Sequence, residues 1–436
     1  MLTKEDNNFI TQTGPGTPMG ELWRRFWVPA VMSWEVPEPD CPPVRVRLLS
    51  EDLIAFRDTT GKVGMVANNC PHRGASLFFG RNEEHGLRCV YHGWKFDASG
   101  ACIDMPNEPA ESNFKNKVHI TAYPTVERGG IVWTYMGPKH LEPEMPDLPW
   151  IALPEENRYV FKFHVECNYL QSMEGDIDNS HIPFAHGKLD PDTSLPFLER
   201  VQRTIFKAAG QRAQSYYTKD LAPQGIIKET DYGLMMGWRR TLSEDSYNWH
   251  INHWLLPHST VMGSPPPDTM LSNLRVPMDD TNSWQFRIRW NPYRPLDPDE
   301  VEEYKHAGTF FPELIPGTFR CVENQQNDYL IDREKQRTVS VTGIKSQTQQ
   351  DRAVNEPYPT GPIYDRTKEH LGTSDTVIIG IRRKLIRAAR ALMQGHEPYA
   401  AHHGDVYNVR PVDLDLKREV PFEEGSREWV EAGQRK

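Results

Sequence analysis

Two short segments of the chain each combine a cysteine with a histidine. One residue separates Cys70 from His72 in the first segment, and two residues separate Cys89 from His92 in the second. Thiolate and imidazole groups both bind transition metals, so these four side chains form a candidate metal centre. Because each segment supplies one ligand of each kind, a binuclear iron cluster fits, in which one iron takes both cysteines and the other both histidines. A tetrahedral zinc site is the alternative, although zinc modules usually pair like with like.

The residues around these ligands favour the iron cluster. Gly74 and Gly93 follow the two ligand pairs, and glycine lets the backbone approach a cluster and donate N–H groups to its sulfides. Two neutral imidazoles in place of two thiolates penalise the reduced state less and raise the reduction potential. Segments 70–74 and 89–94 resemble the Rieske domain of Rieske non-haem iron oxygenases. The resemblance implies a 2Fe–2S cluster held by Cys70, His72, Cys89 and His92.

A second group of possible ligands lies about a hundred residues further along the chain. Asp178 and His181 are three residues apart and would share one face of a helix, which Glu174 joins from one turn earlier. His181 and His186 are about 140° apart on an ideal helix. Both therefore reach one metal only if the helix bends or ends, and Pro183 supplies a reason for a break. Two histidines and a carboxylate with open positions form the non-haem Fe(II) ligand set, although such residues also occur in ordinary cores and surfaces.

The pattern around these histidines resembles the iron-site motif of the same oxygenase family. The resemblance implies that His181 and His186 bind the iron. It also implies that Asp178 links the two metal centres by accepting hydrogen bonds from His181 and from His92, a contact that runs between neighbouring subunits of a trimer in the family. Residues 349–356 resemble the late acidic segment that supplies the third ligand. That ligand is predicted to be Asp351, with Asp332 and Glu356 as alternatives.

Residues 14–22 and 327–333 resemble the phthalate dioxygenase branch of the family, which includes oxygenases of carboxylated aromatics, O-demethylases and ether-cleaving enzymes. The expected function is that of the terminal oxygenase component, which uses O2 and reductase-supplied electrons to hydroxylate a phthalate-like aromatic acid. An O-demethylase or aryl-ether-cleaving monooxygenase is the alternative. A carboxylated substrate favours cations near the iron, and the candidates are Lys207, Arg239 and Arg240. Two roles are open for Trp238, Trp249 and Trp254: they line an aromatic substrate pocket, or they pack in the core of the domain.

Composition limits the partners of the chain. It has no flavin or NAD fingerprint, so we expect a separate NAD(P)H-dependent reductase. The net charge of −10 without a Lys/Arg-rich block argues against nucleic acid, and no apolar run is long enough to cross a membrane. The acidic N-terminus does not resemble a signal peptide, so a cytoplasmic protein is predicted, and the resemblance implies a homotrimer or stacked trimers. A Rieske ferredoxin, which needs only about a quarter of this length, and a zinc-stabilised binding protein are the competing classes.

The distribution of apolar residues along the 436 positions predicts an α+β fold. Short apolar runs punctuated by glycine and proline predict an all-β domain at 41–150, with a proline-dense connector near its end, and the resemblance implies that it is the Rieske domain. The catalytic domain is predicted at 151–436, and the resemblance implies a helix-grip-like arrangement, with an antiparallel sheet flanked by helices. Residues 1–40 are expected to form a helical segment that packs on the catalytic domain.

Two helices have clear sequence signals. Thr17 followed by Pro18 is typical of a helix start, because threonine caps the first turn and proline is tolerated there. Residues 376–392 have the apolar spacing of an amphipathic helix. The Lys/Arg-rich face of this second helix is predicted to be a solvated surface.

Overall fold

The computed structural model describes residues 2–207, 210–306, 310–356 and 361–431. The chain forms two compact units. The β-rich unit consists of Gln12–Met145 and Val276–Asp279, and the catalytic unit of Met1–Thr11, Pro146–Arg275 and Asp280–Lys436. Within the described ranges, no helix has the length and apolar character needed to span a lipid bilayer.

The β-rich unit is built from short antiparallel strands in three sheets. Apolar side chains alternate with glycine and polar turn residues, so each strand buries only a few side chains and ends within a few residues. The sheets have the orders β1-β11-β10, β2-β3-β4-β9 and β5-β6-β7-β8. The strands are Trp27–Met32 (β1), Val44–Leu48 (β2), Glu51–Arg57 (β3), Val63–Ala67 (β4), Arg81–Glu83 (β5), Gly86–Arg88 (β6), Lys95–Phe96 (β7), Cys102–Asp104 (β8), Ala122–Tyr123 (β9), Thr125–Arg128 (β10) and Ile131–Tyr135 (β11).

One large antiparallel sheet forms the centre of the catalytic unit, with the order β12-β18-β17-β16-β15-β14-β13. An additional strand, β19, pairs with the first part of β15. Most positions of the central strands are buried, because helices and loops cover the sheet. The strands are Arg158–Val165 (β12), Gln224–Glu229 (β13), Gly233–Thr241 (β14), Ser246–Leu255 (β15), Ser259–Met262 (β16), Met270–Pro277 (β17), Ser283–Trp290 (β18) and Val412–Lys417 (β19).

The helices belong almost entirely to the catalytic unit, which confirms the predicted α+β class. The structure also confirms Thr17 as a cap, since its hydroxyl accepts from the Gly20 N–H at 3.1 Å, and the long C-terminal helix at its predicted place. The helices are Lys4–Thr11 (α1), Pro18–Trp23 (α2), Tyr169–Ile177 (α3), Ile182–Ala185 (α4), Phe197–Gln202 (α5), Tyr216–Lys219 (α6), Pro298–Lys305 (α7), Arg333–Thr338 (α8), Gln347–Asn355 (α9), Thr376–Met393 (α10) and Phe422–Val430 (α11).

The N-terminal region differs from its prediction as one helical segment over residues 1–40. Only residues up to Thr11 group with the catalytic unit, and the rest group with the β-rich unit. The reason is β1, which pairs antiparallel with β11 at the edge of its sheet. Pro29 in β1 weakens the strand signal in the sequence, but an edge strand tolerates proline, and the register shifts between Pro29 and Val31.

Candidate metal centres and active site

Two loops of the β-rich unit have matching main-chain hydrogen bonds. In each loop the cysteine N–H donates to the carbonyl five residues later, at 2.9 Å for Cys70 and 2.8 Å for Cys89. The glycine four residues after each cysteine donates back to the cysteine carbonyl at 2.9 Å. Gly74 and Gly93 have φ values of 74° and 81°, a left-handed conformation that favours glycine. Similar turns therefore present the two cysteines.

The structure brings the predicted cluster ligands together in pairs. Cys70 and Cys89 are each 2% exposed, and their thiols are close enough to interact. The ring centroids of His72 and His92 are 4.4 Å apart. His72 also stacks on Trp94 at 4.3 Å, which fixes the orientation of its ring. This arrangement places two sulfur and two nitrogen ligands at the tips of the matching loops.

The chemistry of this donor set fits a 2Fe–2S cluster. Nδ1 of His72 is buried and has no hydrogen-bond partner among the described residues, which costs about 1–3 kcal/mol unless a ligand satisfies it. Burial raises the pKa of the Cys70 thiol to about 11, and the neighbouring Cys89 adds to the shift. Iron binding stabilises the thiolate form that this environment disfavours. Partial burial lowers the pKa of His92, as do His72 and Arg73, and this favours the neutral imidazole that binds metal.

The helix that precedes His181 ends before it, as the spacing of His181 and His186 requires if both are to reach one metal. Helix α3 ends at Ile177, Asp178 caps it in an extended conformation, and a new short helix, α4, starts at Ile182. The Oδ1 atom of Asp178 accepts from the Ser180 N–H at 2.7 Å and from its hydroxyl at 2.6 Å. This Asp-x-Ser turn competes with helix formation.

Two details of the predicted iron-site helix are therefore wrong. Pro183 lies in the first turn of α4, where proline is tolerated, and it does not cause the break. Glu174 forms ion pairs with Arg366 at 3.0 Å and Arg382 at 2.6 Å instead of joining a metal-facing surface. Those contacts hold α3 to the C-terminal part of the catalytic unit.

Three side chains of the catalytic unit converge as a metal site. Nε2 of His181 and Nε2 of His186 are 3.2 Å apart, and Oδ1 of Asp351 lies 3.6 Å from the first and 3.1 Å from the second. Ligand atoms that share a metal at about 2.1 Å are about 3.0 Å apart at right angles and about 3.4 Å apart in a tetrahedron. Two histidines and one carboxylate at these distances fit the ligand set of non-haem Fe(II).

Both units match known family models. Residues 26–124 match the Rieske [2Fe-2S] domain, and residues 134–410 match the family described as LigXa C-terminal domain like. The chain is a Rieske oxygenase. Membership excludes the zinc-stabilised binding protein, and the match to the catalytic domain excludes the isolated electron carrier. The oxygenase uses a 2Fe–2S cluster and a mononuclear iron, as expected from its ligands.

Curated relatives place the oxygenase in the phthalate dioxygenase-like branch. It is 37% identical to the 3-chlorobenzoate-3,4-dioxygenase oxygenase subunit of Comamonas testosteroni, over 90% of this chain and 89% of that protein. Identity to the phthalate 4,5-dioxygenase oxygenase subunit of Pseudomonas putida is 35%, over 91% and 88%. Identity to the 5,5'-dehydrodivanillate O-demethylase oxygenase subunit of Sphingobium sp. is 30%, over 99% and 91%. The fold is similar to that of dicamba monooxygenase bound to dicamba, with a TM-score of 0.58 at 17% identity over 85% of this chain and 98% of that chain.

Each histidine of the triad has a hydrogen-bond partner on its other ring nitrogen. Nδ1 of His181 lies 3.3 Å from Oδ2 of Asp178, and Nδ1 of His186 lies 2.7 Å from Oε1 of Gln350. The Nε2 amide of Gln350 donates to the Ile344 carbonyl at 2.8 Å, so its oxygen faces the histidine. Both rings therefore carry the proton on Nδ1 and leave Nε2 free to bind metal. The sequence analysis did not identify Gln350, although it directly precedes Asp351.

Replacing Gln350 with alanine should weaken iron binding about 10- to 100-fold, the usual cost of removing a hydrogen-bond partner of a metal-binding histidine. The reason is that His186 loses the acceptor that fixes its tautomer. Titration of apo-protein with Fe(II) under anaerobic conditions measures the effect. A Gln350→Glu variant keeps an acceptor at this position and serves as the control. Equal iron affinity in the wild type and Gln350→Ala would contradict the assigned role.

The electrostatics of the triad hold its carboxylate ionised. Burial opposes ionisation of Asp351, but the nearby His186, His181 and Arg287 outweigh it and lower the pKa of Asp351 to about 2. Burial also opposes ionisation of Asp178, whose pKa is about 2 because His181 and Ser180 donate hydrogen bonds to it. Asp178 in turn is the main group that raises the pKa of His181 against the effect of burial. The site therefore presents ionised carboxylates near neutral pH.

The two alternatives to Asp351 lie in other interactions. Asp332 caps helix α8, accepting from the Glu334 N–H at 3.0 Å and the Lys335 N–H at 2.9 Å. Glu356 is fully buried and pairs with Arg352 at 2.7 Å, and it accepts from the Tyr329 hydroxyl at 2.5 Å. Neither contacts the histidine pair.

Two cavities adjoin the triad of the oxygenase. The smaller, of about 110 Å³, is lined by all three triad residues and by Asp178. The larger, of about 490 Å³, is lined by His186 and Gln350. The residues that line both cavities are Ile182, His186, Phe206 and Gln347. A substrate in the larger cavity would therefore lie next to the iron ligands.

Only one of the three predicted substrate cations lines these cavities. Lys207 lines the larger one. Arg239 lies over the Tyr247 ring at 4.3 Å and donates to Gln224. The cavity next to the triad instead contains Arg287 and Arg289 of β18. The alternation of a strand places these two residues on one face, a signal that the sequence contained.

Arg240 holds the turn that carries Asp178. It is 0% exposed and donates to both the side chain and, at 2.7 Å, the carbonyl of Asn179. A third bond reaches the Asp220 carbonyl at 3.3 Å, and the guanidinium lies over the Tyr217 ring at 4.4 Å. Arg240 is therefore a positioning residue rather than a substrate cation.

The free energy of unfolding of an Arg240→Met variant should be about 2–3 kcal/mol lower than that of the wild type, because two buried acceptors of Asn179 lose their donor. We expect kcat to fall while KM for the substrate changes little, since the turn lines the smaller cavity but not the larger one. Chemical denaturation and steady-state kinetics measure the two effects. A large rise in KM with unchanged kcat would instead indicate direct substrate binding.

The three tryptophans considered for an aromatic pocket are buried. Trp249 stacks on Phe422 at 4.9 Å, and Trp254 donates to the sulfur of Met173 at 3.1 Å. Trp238 lies on β14 with 1% of its surface exposed. These contacts correspond to the core-packing alternative.

Proposed function

We propose that this oxygenase hydroxylates a carboxylated aromatic of the phthalate type. Four exposed lysines of the larger cavity carry the proposal, because they give an otherwise acidic protein a local positive charge beside the triad. The cavity volume of about 490 Å³ also suits a single-ring acid. The lysines are Lys188, Lys207, Lys335 and Lys345.

The smaller cavity contains a fixed cation, Arg287, beside the carboxylates of the site. Burial lowers the pKa of Arg287 only to about 10, so its guanidinium remains charged at neutral pH. It donates to Asn273 at 3.0 Å and to the Phe310 carbonyl at 2.8 Å, which fixes the charge beside the cavity. Such a fixed charge attracts a carboxylate into the site and helps to orient the ring.

The ligand assignments are part of the proposal. Cys70, Cys89, His72 and His92 hold the cluster, and His181, His186 and Asp351 hold the iron. When bound, the two centres supply electron transfer and O2 activation. The chain fixes the tautomers of both iron-site histidines through Asp178 and Gln350.

Asp178 is the proposed connection between the two centres. Its side chain is 20% exposed, and one of its oxygens already accepts from His181. A carboxylate oxygen has a second lone pair, so we propose that His92 of the partner subunit donates to it in a homotrimer or a stack of two trimers. We also propose that a separate NAD(P)H-dependent reductase supplies the electrons, in the cytoplasm, where the four buried cysteines outside the cluster stay reduced.

A substrate screen tests this function. The iron-loaded oxygenase and a compatible reductase are supplied with phthalate, 3-chlorobenzoate, phenoxybenzoate and methoxylated aryl acids, and O2 uptake and products are followed. A cis-diol from an aromatic acid supports the proposal. Formaldehyde from a methoxylated acid supports the alternative, O-demethylation, which the 30% identity to the demethylase subunit over 99% of this chain favours. O2 uptake with neutral aromatics alone would contradict the proposed substrate class.

A further inference from the structure

A buried histidine outside the iron triad faces the same cavity. His250 lies in the middle of β15 and lines the cavity that contains the triad residues. It is 6% exposed. The directly opposite residue in the neighbouring strand β19 is Asp413, which is 4% exposed. An imidazole and a carboxylate thus lie side by side at the wall of the active site.

The hydrogen bonds of Asp413 fix the tautomer of His250. Its Oδ1 accepts from the Asn248 amide at 2.6 Å, and its Oδ2 accepts from the Tyr216 hydroxyl at 2.7 Å. Burial and the adjacent Asp413 raise the pKa of Tyr216, so the phenol keeps its proton and donates it. Nδ1 of His250 lies 3.2 Å from the same Oδ2 and carries the proton that this acceptor requires.

The other ring nitrogen of His250 has no such partner. Among the residues that the structure describes, none forms a hydrogen bond with Nε2 of His250, and the ring edge of Tyr217 is its aromatic neighbour at 6.0 Å. Nε2 can therefore form a hydrogen bond with a ligand or water in the cavity. Because the residue lines the cavity, a bound substrate is the group in position to do so.

We propose that His250 is a substrate-binding residue whose Nε2–H, when the ring is protonated, donates to the carboxylate of the aromatic acid. Asp413 accepts from Nδ1 and acts as a positioning residue that orients the ring, as a carboxylate does behind a functional histidine in other enzymes. The arrangement selects acids over their neutral analogues, because only an anion gains a charge-assisted hydrogen bond. This inference rests on the proposed function, since it names the residue that recognises the proposed substrate.

The test compares two ligands and two variants of the iron-loaded oxygenase by calorimetry without O2. Asparagine keeps an atom near the Nδ1 position, so His250→Asn retains the contact with Asp413 and removes only Nε2. We expect the Kd for phthalate to rise about 10- to 100-fold, the usual effect of losing a hydrogen bond to a charged group. The Kd for phthalamide should change less than threefold.

His253→Asn is the matched control on the same strand. Both ring nitrogens of His253 bind protein groups, Tyr232 at 2.7 Å and the Arg410 carbonyl at 3.2 Å, so the control should keep the preference for the acid. If phthalate binds His250→Asn as tightly as it binds the wild type, the role of His250 is wrong while the proposed function stands. A wild type that binds phthalate no better than phthalamide contradicts the proposed substrate class and, with it, this inference.

Discussion

Replacing Asp178 with asparagine should lower kcat at least 100-fold while leaving both metal centres in place. The carboxylate is an acceptor for Nδ1 of His181, and its charge stabilises the proton there. An amide of the same shape has one oxygen instead of two, and its nitrogen faces a donor. The remaining amide oxygen can still accept from Nδ1 of His181, which keeps Nε2 for the metal, so iron content should be close to that of the wild type. What is lost is the charged connection proposed to join this site to a cluster in the partner subunit.

Metal analysis, acid-labile sulfide and single-turnover reoxidation of the reduced cluster measure this outcome together. Asp192→Asn is the matched control, because Oδ1 of Asp192 accepts from the Ser194 N–H at 3.0 Å and from its hydroxyl at 2.6 Å. This is the same Asp-x-Ser turn without a histidine on the second oxygen. The control should turn over normally. An Asp178→Asn enzyme that also turned over normally would refute the connecting role.

Replacing Asp351 with alanine should remove the mononuclear iron and reduce turnover more than 100-fold. Asp351 supplies the negative charge of the triad, and its Oδ1 lies within 3.6 Å of both histidine nitrogens. Two neutral imidazoles alone bind Fe(II) far more weakly than a set that includes a carboxylate. The cluster lies on the other unit, so its visible absorption should remain.

The controls for Asp351 are the two acids that the sequence offered in its place. Asp332→Asn keeps a side chain that caps helix α8 and should change stability little, without loss of iron. Glu356→Gln disturbs a buried ion pair and should lower the unfolding temperature, again with iron retained per folded molecule. If either control variant lost its iron while Asp351→Ala kept it, that acid and not Asp351 would be the third iron ligand.

The sequence predicted the parts of the site that depend on local spacing. Cys70 and His72 lie within one five-residue turn, so their spacing alone places them together, and the same holds for Cys89 and His92. His181 and His186 flank one short helix. Asp351 stands 165 positions after His186, and only the resemblance to a family identified it among the many acids of the chain.

The errors have physical causes that spacing does not reveal. The predicted helix break is caused by a side-chain turn between Asp178 and Ser180 and not by Pro183, a competition that a periodicity argument overlooks. Arg240 has the chemistry of a carboxylate binder, yet tertiary packing places Asn179 against it. The roles of Gln350 and His250 could not be predicted from spacing either, because they depend on hydrogen-bond partners on distant elements.

The turn after α3 also bears on how this enzyme acquires new substrates. Oδ1 of Asp178 accepts from Ser180, and Oδ2 accepts from His181. Arg240 donates to Asn179, the residue between Asp178 and Ser180. A few contacts therefore fix the geometry beside the triad, and Lys207 and Lys345, which line the wall of the larger cavity, take part in none of them. Mutations in that wall can change which substrate fits while the contacts of the triad stay intact.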